Sequence, residues 1–145
     1  MKDKFLMRIG LATTLSVVAT VCYANSDWEW VGKNAEYAVF ISPSSVKTVQ
    51  KNARSPIYQQ AWFKMHIQND ISKDGLRVGD YKLRLYQFDC AQQTVGLVYS
   101  VNQNKKDNQT ITEQAKTIDM KPAVPESMGQ AFMDIICSNK YPAQS

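Results

Sequence analysis

Apolar and polar residues alternate with a period of two through most of the chain, the pattern of strands buried on one face. Trp28 and Trp30 alternate with Asp27 and Glu29, and Tyr37, Val39 and Ile41 alternate with Ala38, Phe40 and Ser42. These runs predict a hairpin that turns within residues 32–35. Ser42-Pro43-Ser44-Ser45 then carries turn and helix-cap chemistry, which predicts the end of the second strand and a short helical turn at 44–46. The longest strand candidate is 57–68, with Ala61, Phe63, Met65 and Ile67 on one face and Trp62, Lys64, His66 and Gln68 on the other. A polar connector with an Asp74-Gly75 turn signal follows at 69–79. In the next strand, 80–90, the apolar phase shifts: Tyr81, Leu83 and Leu85 share one parity and Tyr86, Phe88 and Cys90 the other. A β-bulge near Leu85-Tyr86 reconciles the two sets. Residues 92–101 alternate through Val95, Leu97, Tyr99 and Val101, a polar tip covers 102–108, and weaker strand segments are expected at 110–112 and 117–120.

Beyond Pro122 and Pro125 the period changes. Met128, Ala131, Phe132, Ile135 and Ile136 form the stripe of an amphipathic helix with Pro125 in its first turn. The expected fold is therefore α+β, an antiparallel sheet of about five to six strands with the C-terminal helix packed on one face. At about 100° per residue Cys137 falls opposite the centre of that stripe. Either the helix unwinds near Ile136 or the cysteine bonds from the helix flank, and unwinding is the expectation.

Composition narrows the picture without naming a reaction. The 145 residues are 44% hydrophobic and 21% charged, with 6 Gly and 5 Pro, which excludes collagen-like, coiled-coil and wholly disordered chains. Lys2, Lys4 and Arg8 precede an uncharged run of about 13 residues ending at Cys22-Tyr23-Ala24, the layout of a secretory signal peptide cut after Ala24. That run is too short to cross a bilayer, which takes roughly 20 residues. The expected organisation is a leader at 1–24 and one domain at 25–145, with no transmembrane segment in the mature chain. Val21 before Cys22 argues against lipidation of that cysteine, so the expected product is soluble, in the periplasm or at the cell surface. The leader takes Lys2, Lys4, Arg8 and Asp3 with it, so the formal charge falls from +4 to +2. That is too little to argue for nucleic acid.

Of the three cysteines, Cys90 and Cys137 survive cleavage, an even number in an oxidising compartment, and one disulfide is expected. A catalytic thiol is the competing reading, and it needs a basic partner; the single histidine is His66. No HExxH, CxxC, glycine-rich phosphate loop or close Asp/Glu set is present, so no catalytic residue, metal site or cofactor is expected. Two basic groups, Lys47 with Lys51 and Arg54, and Lys105 with Lys106, fall in predicted loops and are the candidate binding residues. Trp28, Trp30 and Trp62 either pack in the core, the favoured reading, or form an aromatic platform for a ligand.

The order of features resembles the surface-adhesin protein E family of exported bacterial proteins. The resemblance is carried by residues 37–41 leading into Ser42-Pro43-Ser44-Ser45-Val46, the strand around Trp62, the Asp89-Cys90 strand end followed by 92–99, and the stretch from Pro122 to Ile136-Cys137. It implies an antiparallel sheet backed by helices, a disulfide from a sheet cysteine to the C-terminal helix, homodimers, and adhesion to host extracellular-matrix or serum proteins. Known members look like surface lipoproteins, a pattern from which Val21-Cys22 departs. Of functional residues only Cys90 and Cys137 carry over, in a structural role. The resulting expectation is an exported, non-enzymatic protein-binding module. A periplasmic inhibitor of a secreted hydrolase and an envelope assembly component are the alternatives.

Overall fold

The computed structural model describes residues 27–144. The expected leader, its cleavage site and Cys22 lie outside the described residues. Strands β1 (Glu29–Lys33), β2 (Tyr37–Ile41), β3 (Lys47–Val49), β4 (Tyr58–Ile67), β5 (Tyr81–Asp89), β6 (Thr94–Asn104), β7 (Gln109–Gln114) and β8 (Lys121–Pro122) precede one helix, α1 (Met128–Cys137). All strand pairings are antiparallel, in the order β1-β2-β4-β5-β6-β7, with β3 also on β4 and β8 also on β6. The expected five to six strands are thus corrected to eight, and the reason is that two of six positions are broken. On one side of β4, β2 pairs Phe63–Ile67 and β3 pairs Tyr58–Gln60; on the outer side of β6, β7 pairs Tyr99–Asn104 and β8 pairs Thr94–Val95.

The break between β2 and β3 is filled by side chains. Pro43–Ser45 forms a 3-10 turn. Within it the Ser45 hydroxyl accepts a hydrogen bond from the Trp62 N–H at 2.9 Å and donates to the Ser42 carbonyl at 2.6 Å, standing in for a missing ladder rung. The Asp27 carboxylate accepts from the Ser42 and Ser44 hydroxyls, which hold its pKa below the usual carboxylate range. The serine-rich segment read as a turn is therefore also a splice in the sheet.

Burial along β4 alternates from Ala61 to Ile67. Ala61, Phe63, Met65 and Ile67 are buried, while Trp62, Lys64 and His66 are half-buried on the other face. The helix packs on the first face, with the Phe132 ring stacked on Phe63 at 4.0 Å between centroids and Met133 and Ile136 fully enclosed. Tyr37, Val39, Ile41, Val46, Leu76, Phe88 and Tyr141 complete this core. Helix α1 starts one turn later than Pro125, capped by Ser127, whose hydroxyl accepts from the Gln130 N–H at 3.2 Å. It does not unwind near Ile136, contrary to expectation. The buried stripe is instead rotated toward Met133, which lies one helical turn before Cys137 and brings that cysteine to the sheet side of the helix. Cys90, just past β5, meets it in a disulfide with Cα atoms 5.6 Å apart.

The bulge expected near Leu85-Tyr86 is present, but its extra residue lies on the neighbouring strand. Leu85 pairs with Tyr99 and Tyr86 with Leu97, leaving Val98 over, whereas β4 and β5 run in unbroken register. The β5 side chains therefore never change face. Tyr81, Leu83 and Leu85 point away from the helix and Tyr86 and Phe88 toward it. In β6 the bulge splits the alternating set, sending Tyr99 and Val101 to the far face and Val95 and Leu97 to the helix face.

Two outcomes test this account. Reduction of Cys90–Cys137, which spans 47 residues, should lower unfolding stability by about 4 kcal/mol in denaturant titrations with the fold retained; no change would contradict the pinning role. Ser45→Ala should cost about 1–3 kcal/mol because the Trp62 N–H loses its acceptor, measured against Ser44→Ala, which leaves that N–H paired.

Candidate functional site

Among the described residues no layer covers most of the face away from the helix. Across four adjacent strands it presents Phe40, Trp62, Leu83, Leu85, Tyr99 and Val101, all half-buried, with Trp62 and Tyr99 in edge-to-face contact at 5.8 Å. Trp28 joins from the segment before β1, and Trp30 is 62% exposed. None of the three tryptophans belongs to the buried core, which corrects the favoured core reading and leaves the aromatic platform. One end of this face is roofed by the connector from β7 to β8. There Gly96 lies so close under Ile118 and Met120 that a Cβ would meet them at 2.7 and 2.8 Å, and the buried Gln60 and Gln87 side chains pair at 2.8 Å. The open area runs from Trp62 toward the other end.

At that other end the face becomes cationic. Lys64 Nζ sits 5.6 Å from the centroid of Trp28 and 4.9 Å from that of Tyr81, and Lys105 Nζ is 5.8 Å from the Tyr81 ring on its outer side. Trp28, Phe40, Lys64 and His66 line a depression of about 290 Å³. Burial first, then repulsion from Lys105, holds the Lys64 ammonium below its ordinary pKa. His66 is likewise depressed by burial, then by Lys105 and Lys64, which keeps its ring neutral at pH 7. The arrangement presents aromatic surface and unneutralised positive charge together. It suits recognition of an amphipathic, acidic surface.

The sequence-predicted binding residues separate. Lys105 stands at the rim of the open face, its position set by a hydrogen bond from its N–H to the buried Asp80 at 2.9 Å, and Lys106 is exposed in the same turn. Lys47 is not in a loop but in β3, and Lys51 and Arg54 occupy the exposed turns after it. Lys47 pairs with Gln60 and Tyr81 with His66, so the two groups lie about 20 Å apart, six strand residues along β4. They do not form one patch. Lys64, His66, Tyr81 and Trp28 were missed as a group. The signal for them was the polar parity of residues 57–68 combined with the odd-parity apolar set of β5, both readable in the sequence. Cys90 and Cys137 form the disulfide described above. Among the described residues no helix is long and apolar enough to cross a membrane.

Residues 28–138 match the family model described as surface-adhesin protein E. The structure is similar to that of Haemophilus influenzae protein E, with a TM-score of 0.50 and 14% sequence identity over 83% of this chain and 90% of that one, a likeness of fold alone. No curated protein matches the sequence.

The charge arrangement has a direct readout. In an NMR pH titration His66 should titrate below its ordinary value of 6.5. Lys105→Ala should raise that midpoint, because removing a neighbouring cation favours the imidazolium. An unchanged midpoint in the variant would place Lys105 away from the face.

Proposed function

We propose, from the premise that the chain belongs to the surface-adhesin protein E family, that it is an exported adhesin acting by binding rather than catalysis, with the uncovered sheet face as its contact surface. The leader at 1–24 is cleaved after Ala24 in this reading, and the domain at 25–145 works outside the cytoplasm, in the periplasm or at the surface. The partner is a protein, of the host matrix or serum.

The observation that carries the reading is the contiguous apolar face itself. Soluble domains rarely leave such a patch uncovered unless something docks on it. Phe40, Trp62, Leu83, Leu85 and Tyr99 would form the desolvated centre, where aromatic and aliphatic anchors supply most of the binding energy. Lys64 and Lys105 at the rim would steer an acidic partner toward it. Lys106 shares the Lys105 turn and extends this rim, whereas Lys47, Lys51 and Arg54 lie at the other end of the sheet and are a separate, secondary contact at most. A second copy of the chain could occupy the same face, so self-association and partner binding would compete.

Leu83→Glu tests the surface. Binding to immobilised host matrix and serum proteins should weaken at least about tenfold, ~1.4 kcal/mol, while circular dichroism and the disulfide stay as in the parent. Ala131→Glu on the exposed side of α1 should leave binding unchanged. The reverse pattern would move the contact surface to the helix side.

A further inference from the structure

Two lysines that sit close together in the sheet are treated oppositely. Lys82, on the helix face of β5, is buried, and its Nζ donates to Asp74 and, at 2.9 Å, to the Tyr37 hydroxyl. Burial works against that charge, but the bonds to Asp74 and Tyr37 outweigh it and raise the pKa. Lys64, on the open face of the neighbouring strand, has aromatic rings around it and, among the described residues, no carboxylate paired with it. The ion pairs among the described residues are Lys73–Asp70, Lys82–Asp74 and Lys121–Asp119, none of them in this depression. Its lowered pKa follows from burial and Lys105. Contact with a ring returns less than a charge-assisted bond to a carboxylate. The molecule has thus partly desolvated a cation, set a second cation 5.8 Å from the same Tyr81 ring, and left the counter-charge to come from elsewhere.

We infer that the depression lined by Trp28, Phe40, Lys64 and His66 takes an acidic side chain of a partner polypeptide whose flanking residues are apolar, with Lys64 and Lys105 as its charge partners. This rests on the reading of the open face as the contact surface and specifies what the partner must offer there. The class of ligand follows from what adjoins the depression. Along β4 the next residue on the same face is Trp62, and beside it lie Leu83, Leu85 and Tyr99, which offer hardly any hydrogen-bonding groups. A sulfated glycan laid across this surface would leave its hydroxyls without partners, at a cost for each one buried. An extended peptide places side chains of one face about 6.6 Å apart, two strand residues, which is also the spacing from Lys64 to Trp62. A carboxylate over Lys64 then sets the apolar neighbour at i+2 over Trp62.

His66 gives the site a proton linkage. The charged and titratable groups that face it are Lys64 on its own strand, Tyr81 opposite it on β5, and Lys105 in the β6–β7 turn; β2 contributes only Ala38 and Phe40, and the N-terminal segment contributes Trp28. With the depression empty, protonation of His66 adds a third positive charge and is disfavoured. A bound carboxylate adds a negative charge beside the ring and favours the imidazolium, so binding takes up a proton and tightens as pH falls through the histidine range.

The probe is a fluorescein-labelled peptide repeating Glu-Ser-Leu-Ser, which puts glutamate and leucine in turn on one face of an extended chain, titrated against its Gln-Ser-Leu-Ser counterpart, with a heparin-derived oligosaccharide as the glycan arm. The glutamate peptide should bind at least about tenfold more tightly than the glutamine peptide. Lys64→Gln should remove most of that difference, and Lys121→Gln, at an exposed lysine of β8 at the other end of the sheet, should leave it intact. Binding should tighten from about pH 7.5 to about pH 5.5, and His66→Gln should abolish the tightening without abolishing binding. Equal affinity for the two peptides, no binding of either, or no effect of Lys64→Gln overturns the inference. Binding of the oligosaccharide alone, with its affinity falling in Lys64→Gln, assigns the depression to a glycan and also overturns it. The two readings fail separately: if Leu83→Glu abolishes capture of matrix or serum proteins while the peptides are not distinguished, the face stands and the acidic anchor falls.

Discussion

Phe132 lies flat on Phe63, and five residues further Cys137 ties the same helix to Cys90 at the end of β5. These two contacts decide which side of the sheet is the inside. Ten helical residues span about 15 Å, enough to close one face over β2, β4 and β5 but with nothing left for the other. The apolar side chains on the far face are therefore not part of a second core. They stay half-exposed because the only helix among the described residues is already committed. The functional surface follows from where the helix is pinned.

The local devices of the sheet serve that asymmetry. Ser45 and Asp27 keep the β2–β3 column in line where the backbone ladder is interrupted, which holds Trp62 at the centre of the open face. Gly96 lets the β7–β8 connector press onto the sheet and close one end of that face, so the buried Gln60–Gln87 amide pair is shielded. The Val98 bulge redirects Tyr99 and Val101 from the helix side to the open side, adding two large side chains to the platform. At the cationic end, Asp80 fixes the Lys105 turn through its backbone and leaves the ammonium free to lie over Tyr81.

Much of this was legible in the chain. Strict alternation placed Phe63 and Trp62 on opposite faces before any coordinates, and the phase conflict at Leu85-Tyr86 located a real register shift. The cysteine arithmetic and the family resemblance agreed on one bridge. The failures have physical causes. Periodicity counts runs, so it could not see that β3 and β8 are short pieces filling gaps beside longer strands. The helix stripe was centred on Ile135 and Met128, although Met133, a flexible side chain that fits irregular space, is the helix residue most completely enclosed; a rotation toward Met133 removes the geometric objection to Cys137. The two apolar parities of β5 were read as one core face interrupted, when they are two faces of a strand that is apolar on both. Charge was sought in loops, and the most constrained lysine of the site, Lys64, lies mid-strand among aromatic rings.

The account centres on a sheet face that is open and positively charged, and all three tryptophans, Trp28, Trp30 and Trp62, report on it. Comparing quenching of tryptophan emission by iodide and by caesium, over a range of protein concentrations, tests this most directly. Strong quenching by the anion and weak quenching by the cation is expected at low concentration, with iodide protection appearing only when a partner or a second copy occupies the face. Weak quenching by both ions in dilute protein would mean the face is covered within the chain itself, and the account would be wrong.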